Sequence, residues 1–403
     1  MEAPHDRISS TGARAALACL IVACALLALP GLAPAASRGA PLADASTLEL
    51  PAPQGAFPDS LVGGRRLSRT QRSADRTQSY PVVGGQQVEI STSYYSDTEM
   101  QAVANVLGGL AHGAEMSTLS AYLATPEELA GVCGPEALAC YAPAIGLMIV
   151  SGVDGSAYGV PRDYTIAHEY GHHIANNRLN SPWSALDTGA KRWATYERVC
   201  QGVRRNRLHP GDEGENYWDN PGEGFAEANA RLNFPGVQVF WGYNALLRPN
   251  QVSLAKLAAD IVSPWTAPTT VTWSGSLWPQ RPNPAQRRFS TPLDGELQIS
   301  LSGPEGSNYD LYVLGQKLRP AKHERRAQRR REGDRKHKGK RGHKGQRGKR
   351  GQKPSVRRRV ISRAASAGSS ERLTINLCGQ EAIRVEVRER GGSGPFTVSV
   401  TRP

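Results

Sequence analysis

Aromatic side chains supply only 6% of this 403-residue chain, methionine occurs four times and cysteine six. No apolar run long enough to span a bilayer follows residue 32, so the chain is not built from several membrane-crossing helices. Gly-Asp-Ser-Gly occurs nowhere, which excludes a trypsin-type nucleophile loop despite the run Val82-Val83-Gly84-Gly85. CxxC is also absent, and with it a cysteine-based zinc knuckle. Histidine is scarce: of nine, His5 lies near the N-terminus and His323, His337 and His343 in a basic tract. Any chemistry that needs several imidazoles must draw on His112, His168, His172, His173 and His209.

Three of those five are consecutive or nearly so, in His168-Glu169-Tyr170-Gly171-His172-His173. On a helix, residues four apart lie about 40° apart around the axis, so His168 and His172 reach one metal ion together. Glu169 projects beside them, where it can take a proton from a metal-bound water. This is the HExxH spacing of zinc peptidases. His173 points roughly 100° away from His172 and is a poor ligand candidate. The apolar run Gly146–Val150 reads as a buried strand, and the glycines and proline after it lead to a helix starting near Arg162 or Asp163. Ile166, Tyr170 and Ile174 would face the core, and Gly171 marks a place where something packs closely.

A catalytic zinc needs three protein ligands. Ala175 and Arg178 stand where the metzincin pattern requires glycine and a third histidine, which excludes that class. Downstream, Asn220-Pro221-Gly222-Glu223 through Leu232 reads as a capped, alanine-rich helix with Glu223 and Glu227 on one face. The pair resembles the ExxxE helix of gluzincin metallopeptidases, in the form also seen in lethal-factor-like toxins. That resemblance implies a zinc ion on His168, His172 and Glu223, Glu227 behind a ligand histidine, and Glu169 as general base. The reverse assignment of Glu223 and Glu227 stays open. Tyr217, six residues before Glu223, matches a tyrosine thought to donate to the oxyanion in lethal-factor-like enzymes. In such enzymes an extended peptide pairs with an edge strand, here expected around Leu147–Val150.

Residues 1–35 read as a secretory signal peptide: Arg7 and Arg14, an apolar run from Ala15 to Leu32, then Ala33-Pro34-Ala35. An uncleaved anchor, or a lipoprotein at Cys24, are alternative readings of the same residues. The remaining Cys133, Cys140, Cys200 and Cys378 are an even number in an exported chain and are disulfide candidates. Cys133–Cys140 is the local pairing among three, and Cys200 with Cys378 is left by elimination. Residues 36–85 lack periodicity and read as a linker or propeptide, largely disordered.

Residues 86–266 read as an α+β, zincin-like catalytic domain. The expected order is a strand at Val88–Ser93, a helix at Asp97–Ala111, a strand at Leu119–Ala124 and a short helix at Pro126–Ala130. The two motif helices follow, separated by helix over Trp183–Arg205, and a helix at Ser253–Val262 comes last. The block resembles predicted secreted metallopeptidases of high-GC Gram-positive bacteria at His112–Glu115, Cys133–Tyr141, His168–His172 and Asn220–Glu227. His112 and Glu115 are expected to be a solvated pair, with a part in shaping the cleft as the alternative.

Residues 267–316 and 364–403 alternate with period two in five short strands, the mark of a small all-β sandwich. They resemble the bacterial pre-peptidase C-terminal domain at Tyr309–Val313 and Gly392–Val400. Residues 317–363 interrupt it with 22 Lys/Arg against three acids, a net +19, while the whole chain is only +13. Such a tract is expected to be disordered and to bind anionic polymers, such as cell-wall polymer, acidic polysaccharide or extracellular DNA. It holds no Phe, Tyr or Trp for stacking on bases, which weighs against a dedicated nucleic-acid site. The expectation is therefore a secreted or cell-surface bacterial zinc endopeptidase acting on peptide or protein, with no obligate partner. The alternative is a catalytically inactive polyanion-binding protein on the same scaffold.

Overall fold

Both faces of the central strands in the first sheet are buried, which explains why their sequences read as unbroken apolar runs. In β3 (Ser120–Ala124) and β5 (Leu147–Ser151), Ala121, Leu123, Met148 and Val150 enter the main core, while Tyr122, Ala124, Leu147 and Ile149 enter a smaller cluster behind. The computed structural model describes residues 76–317 and 359–403, apart from 136, 154–158, 238, 240–241, 280–283 and 380. The expected signal peptide, the linker up to residue 75 and most of the basic tract lie outside the described residues. No helix among those described is long and apolar enough to cross a membrane. They divide into two units between Trp265 and Thr266.

The first unit mixes helices with a five-stranded sheet of order β1-β2-β3-β5-β4, where β1 is Arg76–Pro81, β2 Gln87–Thr92 and β4 Ala139–Ala142. β2, β3 and β5 run parallel, and each outer strand is antiparallel to its neighbour. Two expectations are corrected here. β5 lies inside the sheet, and the edge beside it is β4, a four-residue strand too short to show a period. β1 falls within 36–85, where composition pointed to disorder; its register with β2 brings Tyr80 opposite Val88 and both into the core.

Helix α1 (Asp97–Gly109) packs in the main core, and α2 (Pro126–Cys133) in the smaller cluster. Cys133, ending α2, is disulfide-bonded to Cys140 in β4. Helix α3 (Arg162–Asn176) carries His168 and His172, and His173 beside them. The expected long helix over Trp183–Arg205 is instead a short ladder, β6 (Leu179–Asn180) with β7 (Trp183–Ser184), and three pieces: α4 (Ala185–Thr188), α5 (Lys191–Glu197) and α6 (Val199–Arg204). Gly189 at φ +77° and Arg198 at φ +61° adopt left-handed conformations that a continuous helix cannot contain. Helices α7 (Pro221–Asn233) and α8 (Gln251–Val262) complete this unit.

The second unit holds two antiparallel four-stranded sheets in a sandwich-like arrangement. One has the order β13-β10-β15-β8: Glu371–Leu377, Gly295–Ser302, Gly394–Arg402 and Thr269–Leu277. The other is β12-β11-β14-β9: Arg359–Ala364, Asn308–Lys317, Glu381–Gly391 and Ala285–Thr291. Leu297, Ile299 and Leu301 alternate inward with Val385, Val387, Val398 and Val400. The five expected strands are thus joined by β8, β9 and β12, whose Thr/Ser-rich or Arg-rich faces hid the alternation. All of strand β12 but its last residue falls within 317–363, so that stretch is ordered at its C-terminal end, paired with β11 from Leu311–Ala364 to Gly315–Arg359.

Candidate metal centre

Helices α3 and α7 pack directly on each other, and small residues allow it. A Cβ built on Gly171 would sit 2.6 Å from the Ala226 Cα, so glycine there sets the closeness of the two helices. Asn229 donates across the contact to the Ala167 carbonyl at 2.8 Å, in the fully buried seam. The Asn220 side chain accepts from Gly222 N at 3.0 Å and caps α7, and Pro221 follows at its first position. The turn before Glu223 is thereby fixed.

The packing brings His168, His172 and Glu223 together: one donor atom from each lies within 4.8 Å of the others. His168 Nε2 is 3.3 Å from Glu223 Oε2, and His172 Nε2 is 3.2 Å from Oε1. Around a tetrahedral ion with donors at about 2.0–2.1 Å, neighbouring donors stand about 3.3–3.4 Å apart. Two imidazoles and a carboxylate gathered in this way could hold a metal ion.

Electrostatics bind the cluster tightly. Burial would push the His168 imidazole down, but the Glu223 and Glu227 carboxylates outweigh it and hold it well above the usual histidine value. His172 is raised by Glu223 against the same opposing burial. Burial would raise the Glu223 carboxyl, but His172 and His168 hold it well below the carboxylate range. Glu169 is buried and raised by that burial, with the two imidazoles opposing.

Glu227 lies behind His168, its Oε2 3.5 Å from Nδ1. Its other oxygen accepts from Tyr164 at 2.7 Å and Arg231 at 3.1 Å. Of the two glutamates, Glu223 faces the Nε2 atoms of both histidines and Glu227 the Nδ1 of one. Tyr217, in a 3₁₀ turn over Tyr217–Asp219, donates to Glu223 Oε2 at 2.7 Å. The Tyr141 ring, on β4, lies parallel to His172 with centroids 6.5 Å apart.

The remaining sequence candidates are structural. His173 is buried on the far side of α3, with Nε2 2.8 Å from the Glu115 carbonyl and Nδ1 2.9 Å from the Tyr141 hydroxyl. Glu115 is not solvated as expected. It accepts from Arg178 at 2.7 Å, Tyr170 at 2.8 Å and Gly113 N at 2.7 Å. The sequence reading passed over Tyr164, Arg231, Tyr141 and Tyr243. Tyr164 and Arg231 sit four residues from His168 and Glu227, so helical spacing was a usable signal. Tyr243, whose hydroxyl is 3.3 Å from that of Tyr217, reaches the centre from a separate loop.

Compared with known proteins, the chain matches no family model and no curated sequence. A functional reading therefore rests on the chemistry of these residues.

Proposed function

We propose that the chain is a secreted zinc-dependent peptidase, an endopeptidase of gluzincin type whose α+β unit is a zincin-like catalytic domain. The observation that carries this reading is the meeting of His168, His172 and Glu223 with Glu169 buried beside them. Zinc on those three ligands would polarise a peptide carbonyl and lower the pKa of a water towards about 7. Glu169 takes the proton of the attacking water and returns it to the leaving amine. Its burial suits a base that must also act as an acid. Glu227, held by Tyr164 and Arg231, orients the His168 ring. Tyr217 donates to the carbonyl oxygen as it gains charge, for which its hydroxyl must leave Glu223 Oε2. An extended substrate adds backbone hydrogen bonds along the edge strand β4. The disulfide to α2 and Tyr141's contact with His173 hold that strand in place.

Metal analysis of the purified protein together with Glu169→Gln tests the reading. About one zinc per chain is expected in both proteins, with peptide hydrolysis lowered roughly 10²–10⁴-fold or more in the variant. Undiminished hydrolysis in Glu169→Gln would remove the mechanism, and a folded parent without zinc would remove the metal centre. The +19 charge of residues 317–363 favours a separate role in adhesion to anionic polymers. Deleting 318–358 should abolish that adhesion and spare hydrolysis.

A further inference from the structure

Tyr217, which donates to Glu223, is itself backed by a second tyrosine that the motif reading does not contain, Tyr243. The loop after α7 returns to the 3₁₀ turn at Tyr217–Asp219 and is fastened there. Asn244 N donates to the Trp218 carbonyl at 2.8 Å, and its side chain donates to Asp219 Oδ1 at 2.8 Å and to the Arg207 carbonyl at 3.0 Å. Gly242 lies flat against the Trp218 ring, where a Cβ would come within 2.2 Å of a ring carbon. Leu247 is fully buried in the core. Tyr243, between these anchors, is set against both aromatic neighbours, with ring centroids 5.9 Å from Tyr217 and 5.3 Å from Trp218.

The hydrogens can be assigned by counting. A carboxylate only accepts, so the single Tyr217 proton goes to Glu223 Oε2 at 2.7 Å. The 3.3 Å contact between the two hydroxyls then has Tyr243 as donor and the Tyr217 oxygen as acceptor. Each bond polarises the next, and the last one ends on a charged group.

We propose that Tyr243 is a positioning residue of the metal centre, acting through Tyr217 to hold the Glu223 carboxylate with its oxygens towards the two imidazoles. The inference rests on the reading of Glu223 as a metal ligand. Groups that hydrogen-bond a ligating side chain typically contribute 10–100-fold to metal affinity. A tyrosine that merely fills space contributes through its ring, which phenylalanine keeps.

The test is zinc affinity of the full chain by competition with a chromophoric chelator, for the parent, Tyr217→Phe, Tyr243→Phe and the double variant. Urea unfolding of the metal-free proteins verifies that each folds. Tyr217→Phe should weaken zinc binding about 10–100-fold. Tyr243→Phe should weaken it about 3–10-fold, the range of one neutral hydrogen bond. The double variant should match Tyr217→Phe, because the proposed action of Tyr243 on the metal centre runs through that hydroxyl. Gly242→Ala, which pushes the loop off Trp218 while keeping the Tyr243 hydroxyl, should reproduce the Tyr243→Phe loss. Parent affinity in Tyr243→Phe, or losses that multiply in the double variant, would overturn the relay. A parent that binds zinc yet cleaves no peptide leaves the relay standing and defeats only the peptidase reading. A parent that binds no zinc defeats both.

Discussion

Two buried glutamates lie on opposite sides of helix α3, and their partners differ in kind. Glu115 meets donors that cannot surrender their protons under ordinary conditions: the Arg178 guanidinium, the Tyr170 hydroxyl and a backbone amide. Glu223 meets two imidazoles, which can lose a proton and turn a lone pair towards a cation. Both carboxyls are held below the usual range against opposing burial, Glu223 further than Glu115. Burial and ionisation therefore do not separate a proposed ligand from a structural anchor. What separates them is whether the partners can give way to a metal.

That contrast breaks cleanly under matched substitutions, and these carry the largest expected effects. Glu223→Gln should lose most zinc binding, because one of the three proposed ligands loses its charge. Glu115→Gln should leave zinc stoichiometry near one but cost about 3–5 kcal/mol of stability, since it strands the Arg178 charge among buried groups. Metal analysis and urea unfolding on both variants read the two effects. A Glu115→Gln protein that loses zinc while remaining folded would show that the back of the helix shapes the site directly.

Gly171 connects the two sides, because α3 can present His168 and His172 to Glu223 only if α7 comes close. Alanine at 171 gains about 1 kcal/mol in helix propensity. Against that, its Cβ meets the Ala226 backbone rather than a flexible chain end, so the helices must separate. Overpacking of this kind typically costs about 1–3 kcal/mol. Gly171→Ala should therefore lower the urea midpoint and weaken zinc binding together. A higher midpoint would mean that the seam has slack.

The site was more legible in the sequence than the fold around it. His168, Glu169, His172 and Glu223 come from two helices whose 3.6-residue period places side chains without knowledge of the rest. Gly171 stood out because a helical glycine needs a packing reason. The edge strand β4 escaped, being four residues of Ala, Cys and Tyr with no alternation to read. β8 escaped because Thr270, Thr272 and Ser274 pair by hydroxyl with Thr401, Ser399 and Thr397, leaving a polar outer face resembling linker composition. Glu115 and Arg178 are 63 residues apart, and Tyr243 lies 26 residues from Tyr217. Such meetings depend on tertiary packing, and no local pattern encodes them.

A third buried glutamate sharpens the comparison by lacking a close cation. Glu197, at the end of α5, has the Ser253 hydroxyl against it and the Arg198 charge as a weaker influence, and its Oε1 has no hydrogen-bond partner among the described residues. Burial pushes its carboxyl up to about 7 from the ordinary 4.5. The folded state thus keeps a proton that the unfolded state releases first. Its stabilising contribution is full below about pH 4.5 and is lost as pH rises towards about 7, by roughly 3 kcal/mol or slightly more in all. Glu197→Gln cannot ionise, so its stability relative to the parent should rise between pH 4.5 and pH 8. Urea unfolding at those two values measures the change. An unchanged difference would mean that Glu197 finds a cation when charged, as Glu115 does.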